Sequence, residues 1–387
     1  MTPPAQPVHI DEAAWRFAFP TRVHFGAGQF DRLPDLVKSL GGKRVCLVTG
    51  RRAMRRTGIL GRAVKLLGKR NVVHFDAIQQ NPTAESMDEG ARLADAKHCD
   101  TVIGLGGGSP MDAAKMIALL AVDPKRLRTV DLLAANVEYT GERLSTICIP
   151  TTAGTGSEVT RYAVISVGPT KPSMANELLY PHVALMDPQL TVKLSAKFTA
   201  LTGMDALAQS IEGYWAKASN VVSKTFSAVA IPLILQWLPV AVAEPRNVQA
   251  RSAMLYAAAL SGLSINQSRT TMVHTASYPL TIHWHVPHGQ ACGMLLPGAI
   301  LCNGRPRSPW RAGLFQLLGA KDAREASNRV RRLLKRIGLP VRLRDVGVRR
   351  ADFDVICDGC FDSPRRLANN PVRLTRPKLV AVLDGLW

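Results

Sequence analysis

Residues 274–289 read HTASYPLTIHWHVPHG, and four of the chain's nine histidines, His274, His283, His285 and His288, fall within them. Imidazole is the commonest transition-metal ligand and titrates near neutral pH, so such a cluster can hold a metal or move protons. Ordinary core or rim histidines give the same spacing. A second kind of chemistry lies upstream. In DTVIGLGGGSPMDAAK (100–115), Gly106, Gly107 and Gly108 stand between a strand-like and a helix-like run. Backbone without side chains can approach a pyrophosphate closely there. Ser109 and the first helical amides can donate to it, and the helix dipole favours the negative charge. The run is neither GxGxxG nor a Walker loop. Glycines alone could mark a tight turn. A second loop, PTTAGTGSEVT (150–160), strengthens the phosphate reading, because it sets Thr151, Thr152, Thr155 and Ser157 beside Gly154 and Gly156.

These residues must be positioned by larger elements. KRVCLVTG (43–50) and NVVHFDAI read as buried strands, while TGILGRAVKLLG and ESMDEGARLADAKHC read as helices. Strand–helix alternation with short Gly turns predicts a parallel, doubly wound sheet. Beyond about residue 200 the pattern turns to 3.6-residue periodicity, in TALTGMDALAQSIEGYWA, SKTFSAVAIPLILQWLPVAVA, VQARSAMLYAAALSGLSI and ASNRVRRLLKRIG. The expected organisation is an α/β nucleotide-binding domain over 1–195 and an all-α domain over 196–387. The break is placed in MDPQLTVKLSAK (186–197).

Bulk properties narrow the function. No apolar run is read as long enough to span a bilayer, and the N-terminus lacks a basic segment followed by an apolar one, so neither a membrane nor a secretory leader is expected. Seven cysteines, an odd and scattered set, suit free thiols in a reducing, cytoplasmic compartment. The single CxxC, Cys357–Cys360, has no second pair to complete a zinc site. The net charge of +20 suits either nucleic acid or small anions. Arginines are densest after residue 304 and sit at helical spacing, as on a solvated helix face. No RNA-type aromatic signature or zinc finger accompanies them, and a nucleic-acid partner is not expected.

GGGSPMDAAK with PTTAGTGSEVT, followed by TGMDAL and PHG, resembles the iron-containing alcohol dehydrogenases of the dehydroquinate synthase-like superfamily. The resemblance runs from FPTRVHFGAG near residue 20 to the C-terminus. It implies a Rossmann-like N-terminal domain, a helical C-terminal domain, an active site in the cleft between them, and NAD(P)-dependent hydride transfer at a carbonyl. It places Asn81, Gly107, Gly108, Ser109, Asp112, Thr151, Thr152 and Lys171 around the cofactor, with Thr155 in the second loop. Many NAD-using members carry an Asp after the second strand. Here Gly50-Arg51-Arg52 stands there, which removes a carboxylate facing a 2′-phosphate and offers guanidinium, so NADP(H) is expected over NAD(H). The same arginines would also suit plain solvent exposure. The resemblance maps the metal ligands onto Asp205, Gln209, His274 and His288. Gln209 stands where the family has histidine, and an amide oxygen binds Fe²⁺ or Zn²⁺ less well. The site then holds a divalent metal through the other three, or holds none. His283 and His285 match no ligand position. Tyr278 also replaces a histidine and keeps a hydroxyl for a substrate oxygen.

DALAQSIEGYW, NQSRTT, HTASYPLT and VPHGQA resemble the branch containing phosphonoacetaldehyde reductases. A dianionic aldehyde needs a cationic anchor. Arg269, five residues before His274, is the expected one, with Arg161 as the other candidate; either is alternatively a surface ion-pair residue. The expected activity is reduction of a small anionic or neutral aldehyde by a homodimeric enzyme. The alternatives are a general alcohol dehydrogenase or maleylacetate reductase-like enzyme, a dehydroquinate synthase-type lyase, or a basic binding protein.

Overall fold

The computed structural model describes residues 14–387 apart from 124, 135–138, 140, 169, 305–309 and 363; most of the N-terminal stretch read for a leader lies outside the described residues. Eight strands are formed: β1 Arg22–Phe25, β2 Val45–Gly50, β3 Val72–Ile78, β4 Thr101–Gly106, β5 Ser145–Pro150, β6 Tyr162–Val164, β7 Ser173–Ala175 and β8 Val183–Met186. Between them lie α1 Leu33–Ser39, α2 Ala53–Arg56, α3 Ile59–Leu67, α4 Ala84–Ala96, α5 Gly108–Leu120 and α6 Thr129–Leu133. The remainder is helical: α7 Ala196–Trp215, α8 Val221–Ala243, α9 Val248–Ser268, α10 Met272–His283, α11 His288–Asn303, α12 Trp310–Leu317, α13 Ala323–Arg336, α14 Phe353–Phe361, α15 Pro364–Ala368 and α16 Arg376–Asp384.

Six strands form one sheet in the order β1-β8-β5-β4-β2-β3, and β6 and β7 make a separate antiparallel pair. Every pairing in the large sheet is parallel. Its central strands are apolar without alternation because both faces are covered. From β2, Leu47 enters one core with Leu33, Leu60 and Ile147, while Cys46 and Val48 enter the other with Met87 and Met116. The chain leaves β2 outward to β3 and then crosses back to β4. The C-terminal ends of β2 and β4 therefore flank a topological switch point, the crevice where open α/β sheets bind ligands.

The helices share a third core around Trp215. α7 begins after Ser195, whose side chain caps the Phe198 amide at 3.3 Å. One expectation needs correction. α8 is long and apolar enough to cross a bilayer. Ser223, Lys224, Thr225 and Gln236 break the run in sequence, but a 23-residue helix averages over them. Here Ile231, Ile234 and Leu238 are buried in the helical core, with α8 packed on α7 and α9.

Candidate active site

The nucleotide loops assemble at the switch point. The first glycine loop runs from the end of β4 into α5, and the second follows β5; the Thr151 amide donates to the Gly106 carbonyl at 2.8 Å. The loops touch so closely that a Cβ on Gly108 would lie 2.8 Å from Thr155 Cγ2, and Gly107 faces Thr152. Asn81 adopts a left-handed φ of 60° and donates its amide to Ser109 Oγ at 3.3 Å. These residues therefore come together as expected. Gly50 ends β2, and Arg51 and Arg52 follow it, exposed. Asp112 is placed differently. Its buried carboxylate accepts from Ser157 Oγ, from the Val164 amide at 3.0 Å and from Lys115 Nζ at 3.4 Å. It ties α5 to the second loop from beneath. Glu158, buried in the same region, has its carboxyl pushed up to about 7 by burial.

The second centre is built by α7, α10 and α11. Asp205, His274 and His288 converge. Asp205 Oδ1 lies 3.4 Å from His274 Nε2 and 3.6 Å from His288 Nε2. Cys292, one turn after His288 on α11, joins them, and the four donor groups lie within 4.8 Å of one another. The approach of α11 to α7 depends on Gly289, because a Cβ there would fall 2.0 Å from the Leu201 carbonyl oxygen. Gln209 lies one turn after Asp205, but its Oε1 accepts from Ser261 Oγ of α9 at 2.9 Å. That oxygen keeps a second lone pair, and the structure offers Cys292 as a further donor.

Glu212, a further turn along α7, is fully buried. One carboxylate oxygen accepts from the Thr271 amide at 2.9 Å, Thr271 Oγ1 at 2.6 Å and the Val273 amide at 2.8 Å. The other accepts from His274 Nδ1. This directs Nε2 of His274 at Asp205, the orientation a metal ligand requires once its proton is displaced. Burial opposes charge on His274, but Glu212 and Asp205 outweigh it and raise its pKa to about 9. Burial lowers His288 to about 4 despite Asp205. Lys171 is close enough to His288 to disfavour its charge.

A divalent metal fits this centre. Asp205 Oδ1 and His274 Nε2 are buried without a hydrogen-bond partner. Tetrahedral ligands on zinc stand roughly 3.4 Å apart, so a modest closing of the donors suffices. The donor set of oxygen, two nitrogens and sulfur suits zinc or Fe²⁺.

Tyr278 stacks on His288 with ring centroids 5.8 Å apart and planes 9° apart. Above it, the Arg366 guanidinium lies 4.9 Å from the Tyr278 ring centroid. Burial raises the Tyr278 hydroxyl pKa, with Arg366 acting against it. Arg269 is not brought into this group. It ends α9 with a φ of 58°, and its side chain is exposed. Arg161 stacks near Tyr162 instead, at 6.0 Å. His283 and His285 are exposed. Sequence reasoning missed Glu212, Cys292 and Arg366. The first two carried a signal, lying seven residues after Asp205 and four after His288, on the faces of those ligands. Arg366 carried none.

The switch-point loops and the buried donor cluster define a nucleotide-dependent oxidoreductase with a metal centre. The comparisons agree. The pattern of iron-containing alcohol dehydrogenases matches residues 20–188, and that of the Fe-containing alcohol dehydrogenase family, C-terminal, matches residues 199–387. The chain is 31% identical over 383 residues to long-chain-alcohol dehydrogenase 1 of Geobacillus thermodenitrificans, covering 96% of each chain. It is 33% identical over 371 residues to 1,3-propanediol dehydrogenase of Citrobacter freundii, covering 90% of this chain and 95% of that one. Sulfoacetaldehyde reductase from Bifidobacterium kashiwanohense, solved with NAD⁺, superposes with a TM-score of 0.90 at 30% identity, covering 97% and 99% of the two chains. The chain belongs to the iron-containing alcohol dehydrogenase family.

Proposed function

We propose that this enzyme reduces a small aldehyde carrying an anionic group, with phosphonoacetaldehyde yielding 2-hydroxyethylphosphonate, and that it uses NADPH. The observation that carries the substrate reading is the Arg366 guanidinium set on Tyr278, which itself lies against His288. Lys171 adds a second cation beside His288. The similarity to a sulfoacetaldehyde reductase supports an anionic aldehyde as the substrate class. Exposed Arg51 and Arg52 at the end of β2 support NADPH, since guanidinium pairs with a 2′-phosphate.

In this reading Asp205, His274 and His288 hold the metal, with Cys292 as fourth donor in place of Gln209. When bound, the metal supplies Lewis acidity at the carbonyl and the dihydronicotinamide supplies the hydride. Glu212 fixes the His274 tautomer. Tyr278 donates its hydroxyl toward the substrate oxygen, and Arg366 pairs with the anionic end. The glycine and threonine loops hold the pyrophosphate, with Asn81, Ser109 and Lys171 at the crevice; Asp112 orders the loops from below. The division at 195/196, a homodimer and a cytoplasmic setting complete the proposal, the last supported by free thiols at Cys46, Cys99, Cys148, Cys292, Cys357 and Cys360.

The test is a cycle of wild type, Arg366→Ala and Arg269→Ala, each with phosphonoacetaldehyde and with propanal. Loss of a partly desolvated charge pair costs about 2–4 kcal/mol, roughly 30- to 1000-fold in kcat/KM. We expect Arg366→Ala to lose this on the anionic aldehyde only. A loss confined to Arg269→Ala moves the anchor there. A wild type that prefers propanal refutes the anionic substrate in favour of a general aldehyde reductase.

A further inference from the structure

The arginines of the last third of the chain read in sequence as a solvated helix face. The fold sets five of them around one recess of about 600 Å³: Arg331 is half-buried, and Arg324, Arg342, Arg344 and Arg350 line it while still exposed. Arg324 and Arg331 stand two turns apart on the same face of α13, and the other three come from the segment between α13 and α14. Arg344 and Arg350 stack on Trp387, 5.4 and 4.7 Å from its ring centroid. Little negative charge answers them. Arg350 pairs with Asp384 at 2.8 Å, and Arg331 donates to the Gly385 carbonyl at 2.9 Å. The other nearby carboxylates are engaged: Asp352 with Arg349, and Asp345 with the Arg342 amide at 3.2 Å. Burial and the charge of Arg342 lower the pKa of Arg331, so these guanidiniums stand close enough to repel. Ser327, also in the lining, is 2% exposed, and its hydroxyl is buried without a hydrogen-bond partner.

Five converging guanidiniums outnumber the carboxylates of Asp384 and Asp345 beside them and leave net positive charge to be met. Guanidinium groups suit bidentate pairing with phosphate oxygens, and the unpaired hydroxyl adds a neutral donor. A recess of this volume admits a small molecule and excludes a duplex. We propose that the cavity is a second ligand site, separate from the reaction centre, that binds a small molecule carrying a di- or triphosphate group. Leu301, at its edge, lies thirteen residues along α11 from His288, about 20 Å away.

The test is calorimetric titration of the full-length enzyme with tripolyphosphate, ATP and inorganic phosphate at 0.15 M salt. Wild type is compared with Arg324→Gln/Arg342→Gln and with a charge-matched control, Lys69→Gln/Arg70→Gln, on the exposed turn before β3. We expect wild type and control to bind tripolyphosphate with submillimolar Kd, and the pocket variant to bind one equivalent fewer, or that equivalent at least tenfold more weakly. KM for NADPH should be the same in all three. ATP binding more tightly than tripolyphosphate marks a nucleotide as the source; equal binding marks the polyphosphate chain alone. The proposal is overturned if neither compound binds, if inorganic phosphate binds equally well, or if the three proteins bind alike. Should the double variant fail to fold, Arg342→Gln alone should weaken binding three- to tenfold, and no change overturns the proposal.

Discussion

Glu212→Gln is the most informative single change at the metal centre. The native carboxylate accepts from two backbone amides, one hydroxyl and His274 Nδ1, and it is fully buried. Glutamine keeps the volume and one acceptor oxygen. That oxygen can still serve Thr271 and Val273. The amide nitrogen must then face His274 Nδ1, and being a donor it favours the tautomer with the proton on Nε2. That proton points at Asp205, into the place a metal would take. Loss of such an orienting partner typically costs 10- to 100-fold in metal affinity, about 1.4–2.7 kcal/mol. Without metal, exchanging charged for neutral hydrogen bonds should cost about 1–2 kcal/mol of stability. The assay is zinc competition against a chromophoric chelator, paired with urea unfolding in EDTA. Zinc affinity within threefold of wild type, in a variant that unfolds cooperatively, refutes the assigned role.

The remaining predictions are compact. Cobalt-loaded wild type should show a near-ultraviolet thiolate-to-cobalt band that Cys292→Ser abolishes; if the band persists, Cys292 is no ligand. Gln209→His should raise metal retention in freshly purified protein, and unchanged content on elemental analysis argues against an imidazole reaching the site. Arg51→Ala/Arg52→Ala should raise KM for NADPH at least tenfold more than for NADH, and equal effects reject the 2′-phosphate contact. Glu158 has a folded pKa of about 7 against an ordinary 4.5, so the native state binds the extra proton between these values and stability falls as pH rises through that window. Glu158→Gln should remove up to about 3 kcal/mol of that decline between pH 5 and 8, and a urea midpoint profile as steep as wild type contradicts it.

What could be read from sequence was whatever local backbone demands dictate. Gly107 and Gly108 announced a loop, and at Gly108 a Cβ would crowd Thr155 Cγ2 at 2.8 Å. Asp205, His274 and His288 were legible because each sits in a short motif. For Arg269, closeness in sequence to His274 does not settle closeness in space. The left-handed turn at its φ of 58° ends α9 and leaves the side chain exposed. Arg366 reaches Tyr278 from α15, nearly ninety residues away, and only the packing of α15 on α10 creates the contact. The arginine-lined cavity hid for the same reason, since helical spacing on α13 looks identical whether the opposite wall is water or Trp387.

The replacement of a ligand histidine by Gln209 suggests at first a centre that has given up its metal, yet the buried charges argue otherwise. Asp205 and Glu212 bring two carboxylates into the helical core, and both are almost inaccessible. His274 bridges them and carries at most one positive charge. His288 is held neutral by burial. Asp205 Oδ1 faces His274 Nε2 at 3.4 Å without good hydrogen-bond geometry, so its buried charge is only partly compensated. Glu212 already accepts from four donors, so Asp205 is the carboxylate that a cation would chiefly satisfy. Asp205, His274, His288 and Cys292, with their donor atoms within 4.8 Å of one another, form a donor group that suits a divalent cation. In the proposed ligand set the fourth donor comes from Cys292 on α11 in place of Gln209 on α7, and a thiolate there would shift the preference toward softer metals such as zinc.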